Sequence, residues 1–396
     1  MKKLCVLYSL VVAVLTAEIT DLDNFLSYEK NLLFDYQIEI NELRSDLLRK
    51  SWISPVMINY QENRSTQPVV GEYKDKVFSV SIDQPIFKSG GIFFAVKYAN
   101  AGEKANSAEI ELQRRRMIVQ ALEILFNLKK TRLQMRQTRL LVRNDAIDIL
   151  RKKEQYENGL IDSSFLDQAI IQRNRDQTKL LALELSEENL KNSFALLSDK
   201  NPDTIKLPRL KLIEREEYKR KNLELYGKRM RIEESKYNSM MTVSKYLPTV
   251  SAYAAYYNTD HYMMGMRDDY SNYGLRISVP ISVNAPHDIE ASRVEYLRSA
   301  IELQDNIKKS ENEYALALKT IAIIEKKIKI SKADEKLYRG LLKSTRERVR
   351  AGEKTKLDIE VMRNSMRMAI LDQEVYKIER QIQLLRLYEK VSGDEF

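Results

Sequence analysis

Cysteine is all but absent from these 396 residues: Cys5 is the single one, and it sits inside the first apolar stretch. Disulfides and thiol catalysis are thereby excluded from everything that follows it. Histidine is nearly as scarce, with only His261 and His287, too few for a zinc cluster or a histidine-based triad. No Walker loop or dinucleotide fingerprint occurs, so the chain reads as a non-enzyme with no cofactor and no resident metal. HYMMGM does gather His261, Met263, Met264 and Met266, soft ligands of the kind that hold Cu(I), but flexible methionine in a loop more often serves packing. Glycine (11) and proline (8) are too few for the turns of two or three ordinary domains, which predicts long uninterrupted elements. Also missing is any run of about 18 apolar residues, so a membrane crossing has to be made by strands.

Charge is what the chain has in quantity. Charged residues make up 31% of the chain, with a formal net charge of +9, and the mean hydropathy is −0.45. Lysine and arginine alternate with glutamate in RKKEQYENG and KSTRERVRAGEK. That is a solvated helical surface, and without a basic and aromatic platform no nucleic-acid partner is expected. The opening MKKLCVLYSLVVAVLTAE has a basic start, an apolar stretch from Leu4 to Leu15 and a small residue at Ala17. It has the pattern of a secretory signal peptide spanning residues 1–17. Its apolar stretch falls short of the roughly twenty residues of a membrane anchor.

The strongest organising feature is a repeated set of landmarks. Pro55 is echoed by Pro248 and Gly159 by Gly352, each 193 positions on, and Pro85 by Pro280, 195 positions on. A repeat this long means two copies of one structural unit. The first spans 18–198, with strands at 51–62 and 73–85, and the second spans 213–396, with strands at 247–258 and 270–281. A linker, 199–212, joins them. Each copy reads as short helix, strand, loop, strand, long helix, tight turn, short helix. The short helices are expected at 20–50 and 163–198, then 213–243 and 355–390; the long ones are expected at 92–156 and 287–349. At about 1.5 Å per residue a long helix measures about 95 to 100 Å, the summed length of two short ones.

Apolar seams run along the long helices. Tyr296, Ala300, Leu303, Ile307, Ser310, Tyr314, Ala317, Ile321, Ile324 and Ile328 alternate spacings of four and three, the rhythm of antiparallel coiled-coil pairing. In the first copy the same rhythm runs from Met117 through Ala121, Leu128 and Met135 to Ile149, broken only at Asp145.

The strand candidates alternate oily and wet residues. Phe78, Val80 and Ile82 interleave with Ser79, Ser81 and Asp83, and Tyr273, Leu275 and Ile277 interleave with Gly274, Arg276 and Ser278. Tyrosines such as Tyr60, Tyr73, Tyr253, Tyr256, Tyr257, Tyr262 and Tyr270 cluster around these segments as an aromatic girdle would. Four strands cannot close a barrel, and an open edge in lipid leaves backbone groups unpaired, so several subunits must share one. Two copies make a small filled barrel, while three make twelve strands with room for a pore.

The doubled order of elements, SIDQPIFKSGG and ISVPIS at the strand-to-helix turns (Pro85, Pro280), and the turns YENGLIDSSFLDQA and VRAGEKTKLDIEVM together resemble the TolC family of bacterial outer-membrane efflux and secretion ducts. The resemblance covers nearly all of the chain after the signal peptide. It implies a mainly α fold with membrane β: a homotrimer whose long antiparallel coiled-coil helices form a periplasmic α-barrel, and whose four strands per subunit share a twelve-stranded outer-membrane β-barrel. It implies as partners a periplasmic adaptor, docking at Gly159, Leu160 and Gly352, and an inner-membrane pump of RND or ABC type that supplies the energy. The family's entrance carries an acidic residue after the second turn with a basic one before it, which Asp358 and Lys354 match. At i and i+4 these are expected to pair, and three Asp358 carboxylates around an axis would favour cations. Where the first turn should offer an acidic partner the chain has Phe165, preceded by Ser164, with Asp162 and Asp167 as nearby substitutes. The alternative reading is a periplasmic coiled-coil scaffold or adaptor without a pore.

Overall fold

The computed structural model describes residues 25–67, 71–261 and 266–392. The expected signal peptide with Cys5, and Tyr262, Met263 and Met264 of the methionine-rich loop, lie outside the described residues. In chain order the elements are α1 (Tyr28–Lys50), β1 (Met57–Gln67), β2 (Gly71–Phe87), α2 (Gly91–Glu157), α3 (Ser163–Ala195), α4 (Arg215–Arg220), α5 (Leu223–Ser244), β3 (Thr249–His261), β4 (Met266–Ser278), α6 (Ala285–Arg350) and α7 (Lys356–Tyr388). The scarcity of glycine and proline has its counterpart in α2 and α6, of 67 and 66 residues. Among the described residues no helix is long and apolar enough to cross a membrane.

The strands form one antiparallel sheet in the order β1-β2-β3-β4. Its central pair, β2 with β3, joins the first copy to the second. The register puts Ser79, Ser81 and Asp83 on the same side as Tyr253, Asn272 and Arg276, while Val80, Ile82, Tyr256, Tyr273 and Leu275 share the opposite side. One-residue alternation thus separates a wet face from an oily one.

Several boundaries depart from the sequence expectation. The first strand was expected from residue 51 but starts at Met57, because Ser51–Val56 is held by a side chain and not by a ladder. Gln84 accepts from the Ser54 N–H at 2.9 Å and donates to the Trp52 carbonyl at 3.0 Å. Pro85 lies within β2 and pairs with Ser251, and the register shifts between Pro85 and Phe87, since proline has no N–H for the ladder. Pro280 follows the end of β4 at Ser278, where the expected strand ran on to 281. The helix expected over 213–243 is split into α4 and α5 at Lys221–Asn222. There the backbone leaves the helix to bridge Asn222 with Val391, and Asn222 Nδ2 donates to Ser310 Oγ at 3.1 Å.

The chain forms two compact units, each drawing on both copies: residues 1–34, 111–223 and 308–396 in one, and 35–110 and 224–307 in the other. The second contains the sheet and is tied by polar contacts between helices, such as Ser45 Oγ to the Ala99 carbonyl at 3.1 Å and Asn41 Nδ2 to the Glu103 carbonyl at 3.0 Å. The first has a hydrophobic core cluster where Ile213, Tyr218, Tyr314, Leu387 and Val391 pack together. Tyr218 and Tyr314 lie 5.2 Å apart between ring centroids, and Tyr314 Oη donates to the Ile213 carbonyl at 2.8 Å. Along α6 the buried positions Ser310, Tyr314, Ile321, Ile324, Ser331, Leu342 and Thr345 keep the four-three rhythm.

Removing the Tyr314 hydroxyl leaves the buried Ile213 carbonyl without its donor. Tyr314→Phe is therefore expected to lower unfolding stability by about 1–2 kcal/mol, read by denaturant titration in detergent.

Candidate functional site

Two turns, at residues 158–162 and 351–355, end the long helices within one unit. Their backbones match. The Leu160 N–H reaches back to the Gln155 carbonyl at 2.8 Å, and the Glu353 N–H to the Arg348 carbonyl at 2.9 Å, the closing bonds of Schellman caps. Gly159 at φ 71 and Gly352 at φ 81 occupy the left-handed position these caps require. A Cβ on either would meet nothing within 4 Å, so backbone conformation and not space selects glycine. Leu160 is 72% exposed and Phe165 49% exposed beside these turns.

The helices that follow are capped differently. Asp162 caps α3, its carboxylate accepting from the Ser164 N–H at 2.8 Å. That hydrogen bond, with one from the Ser164 side chain, holds Asp162 below the usual carboxylate range. Thr355 caps α7 in a capping box with Asp358, whose Oδ2 accepts from the Thr355 N–H at 2.8 Å and hydroxyl at 2.9 Å. Asp162 is thus the counterpart of Thr355, a helix cap.

The expected Lys354–Asp358 pair is corrected. Lys354 lies in the turn before α7 begins at Lys356, so helical i, i+4 geometry does not apply to it. Asp358 pairs instead with Arg151 of α2, Nη2 to Oδ1 at 2.8 Å. Burial works against its charge, but the Thr355 hydrogen bonds and the positive charges of Arg151 and Lys354 hold its carboxyl below the ordinary value. This carboxylate is already engaged twice within its own chain.

Arg151 opens a polar seam between α2 and α7 that the sequence did not reveal. One heptad up, Asn364 Nδ2 donates to Asn144 Oδ1 at 2.9 Å, and a heptad further Gln137 Nε2 donates to Asp372 Oδ1 at 2.7 Å. Arg136, Arg139 and Arg367 with Leu140, Ile370 and Leu371 line a groove of about 390 Å³ along the same junction. The partners lie more than 200 positions apart in the chain, so no local motif marks them.

Between α2 and α3 lies a second acidic feature, hinted at by the break in the seam at Asp145. Asp145 Oδ2 is buried with no hydrogen-bond partner among the described residues, and Asp176 is 6% exposed. Burial, then the charge of Asp176 and a hydrogen bond with it, push the Asp145 carboxyl up to about 6. In the second copy the positions 193 further on are Tyr338 and Ala369, so the seam itself does not need acids here. Among the described residues no group of three or more metal-ligating side chains occurs.

Two predictions follow from these contacts. The raised Asp145 value means that the folded state holds this proton more tightly than the unfolded chain, so the stabilisation is full below about pH 4 and is lost as pH rises through about 6. Asp145→Asn is expected to flatten that slope and to unfold at higher temperature than wild type at pH 7.5, as melting curves across pH will read. Asp358→Ala removes the capping box and the Arg151 partner, with an expected loss of about 1–2 kcal/mol and faster hydrogen exchange confined to the first turn of α7.

No protein-family profile matches the chain, and no curated protein does. Solved structures do. The Campylobacter jejuni CmeC outer membrane channel is similar at a TM-score of 0.76 and 14% identity, over 95% of this chain and 85% of that one. The outer membrane protein VceC of Vibrio cholerae matches at 0.74 and 15%, over 96% and 97%. The open-state MtrE outer membrane channel of Neisseria gonorrhoeae matches at 0.71 and 14%, over 95% and 88%. Seven helices and a four-stranded antiparallel sheet, in this order among the described residues, are the fold of the TolC-family outer-membrane channels.

Proposed function

We propose that this chain is an outer-membrane exit channel of a tripartite efflux or secretion system, formed by three copies. Their sheets close one twelve-stranded barrel, and their helices wall a periplasmic tunnel that an adaptor opens at the two glycine turns. Transport is driven by an inner-membrane pump. The observation that carries this reading is the sheet. Its oily face is bare, with Tyr273 80%, Leu275 70% and Ile277 72% exposed, and β1 and β4 each pair on one side only. An apolar face with two open edges is costly in water and is satisfied when copies close a barrel in lipid. A periplasmic scaffold would leave that face in water, which weighs against the alternative.

Opening is assigned to the α2–α7 junction. Beside the groove that Leu140, Ile370 and Leu371 help to line, it is crossed by hydrogen bonds and an ion pair that water can replace at a net cost of about 0.5–1.5 kcal/mol each. Adaptor contact at exposed Leu160 and Phe165 acts at the end of this junction, where Arg151 holds Asp358.

Planar-bilayer recording of the purified protein tests the reading. Wild type is expected to show small, discrete channels, and Arg151→Ala or Asp358→Ala larger ones. A protein that stays in solution without detergent and gives no conductance in wild type or either variant would sink it.

A further inference from the structure

Three side chains on the wet face of the sheet form a constellation of their own. Arg276 on β4 reaches across β3 to form an ion pair with Asp83 on β2. On the way its guanidinium lies over the ring of Tyr253, 4.9 Å from the centroid. Tyr253 pairs directly with Asp83 on one side and Gly274 on the other. A Cβ at position 274 would stand 2.9 Å from the Tyr253 hydroxyl and 3.1 Å from its Cζ, so only glycine leaves room for the ring. The central strand therefore supplies an aromatic floor on which a cation is held between two strands that do not touch each other.

The neighbours make this pair stand out. At Ser79 and Ser81 on β2, and at their partners Asn59 and Met57 on β1, Tyr257 and Ala255 on β3 and Tyr270 and Asn272 on β4, the same face carries no charge. Asp83 belongs to the first copy and Arg276 to the second, so the ion pair ties one copy to the other across β3.

We propose that Asp83 and Arg276, steadied by Tyr253, form the charge-selectivity ring of the barrel, a belt of alternating acid and base that passes solutes of either sign. This rests on the pore reading above. In a barrel closed by three copies the wet face lines the lumen, and the belt holds three carboxylates and three guanidinium groups at one level. Rings of one sign make pores selective. A ring that neutralises itself leaves the exit open to cations and anions alike, while keeping donors and acceptors for charged cargo. The pair is itself 57% and 45% exposed, so it contributes little to stability.

Reversal potentials under a potassium chloride gradient, measured on purified full-length channels, test the assignment. Asp83→Asn leaves an unopposed guanidinium ring and is expected to shift the permeability ratio severalfold toward chloride. Arg276→Gln is expected to shift it severalfold toward potassium. The double replacement, and the exchange Asp83→Arg with Arg276→Asp, are both expected to return it to the wild-type value. Channels whose reversal potential is unmoved by either single replacement, or moved in the same direction by both, overturn the proposal. Single variants that form no channels while the exchanged pair does would assign the residues to assembly, which also overturns it. If no variant and no wild-type protein conducts, the pore reading itself fails.

Discussion

Backbone pairing at the two ends of the sheet is the constraint from which the rest of the reading follows. Among the described residues β1 has a neighbour only in β2, and β4 only in β3. Each therefore offers a row of N–H and C=O groups on its outer side. Because all pairs are antiparallel and the strands are even in number, β4 of one copy runs opposite to β1 of the next. Identical copies can then continue the ladder head to tail without a break in pattern, which is the geometry that closes a ring. The oily face sets the medium in which that ring is stable, since lipid offers no water to the edges and no penalty to Leu275 or Ile277.

The helices of the other unit are held by two kinds of contact. Along α6 the buried face keeps the four-three rhythm and is apolar or small at Ser310, Tyr314, Ile321, Ile324 and Ser331. Between α2 and α7 polar contacts recur at Arg151, Asn144 and Gln137, a heptad apart on α2. Dry seams resist separation in proportion to area, while polar ones exchange partners with water. A wall built from both can part along one line and remain whole along the other.

Much of this was legible in the sequence because it is local. Helix periodicity, the alternation in the strands and the glycine turns depend on residues within a few positions of one another, and the long helices begin and end within two residues of expectation. What was not legible depends on partners far along the chain. Asn222 breaks a helix because its partner is 88 positions away. Arg151 displaces Lys354 as the partner of Asp358 from 207 positions away. Asp145 was visible as an interruption of the seam, but its meaning lies in Asp176, which no spacing rule connects to it. Gln84, hidden within a strand pattern, redirects the chain before β1 by bonding to residues 30 and 32 positions back.

The copies have kept their backbones and diverged in chemistry, and the direction of that divergence is informative. Arg151, Asn144 and Gln137 on α2 correspond, 193 positions on, to Ser344, Leu337 and Ile330 on α6; Asp358 and Asn364 on α7 correspond to Phe165 and Ile171 on α3. Leu337 and Ile330 are 61% and 63% exposed, and Phe165 and Ile171 49% and 50%. In a closed ring of copies the junction equivalent to α2–α7 falls between α6 of one copy and α3 of the next. Carried over position by position, that junction sets Ser344 against Phe165, Leu337 against Ile171 and Ile330 against Lys179, where the internal one sets Arg151 against Asp358, Asn144 against Asn364 and Gln137 against Asp372. Bare apolar surface of this kind is stabilised by burial, and on the proposed function it is the neighbouring copy that covers it, while the polar contacts of α2 with α7 lie inside each chain. On the proposed function, the entrance then opens by each subunit parting its own two hairpins, without the subunits leaving one another.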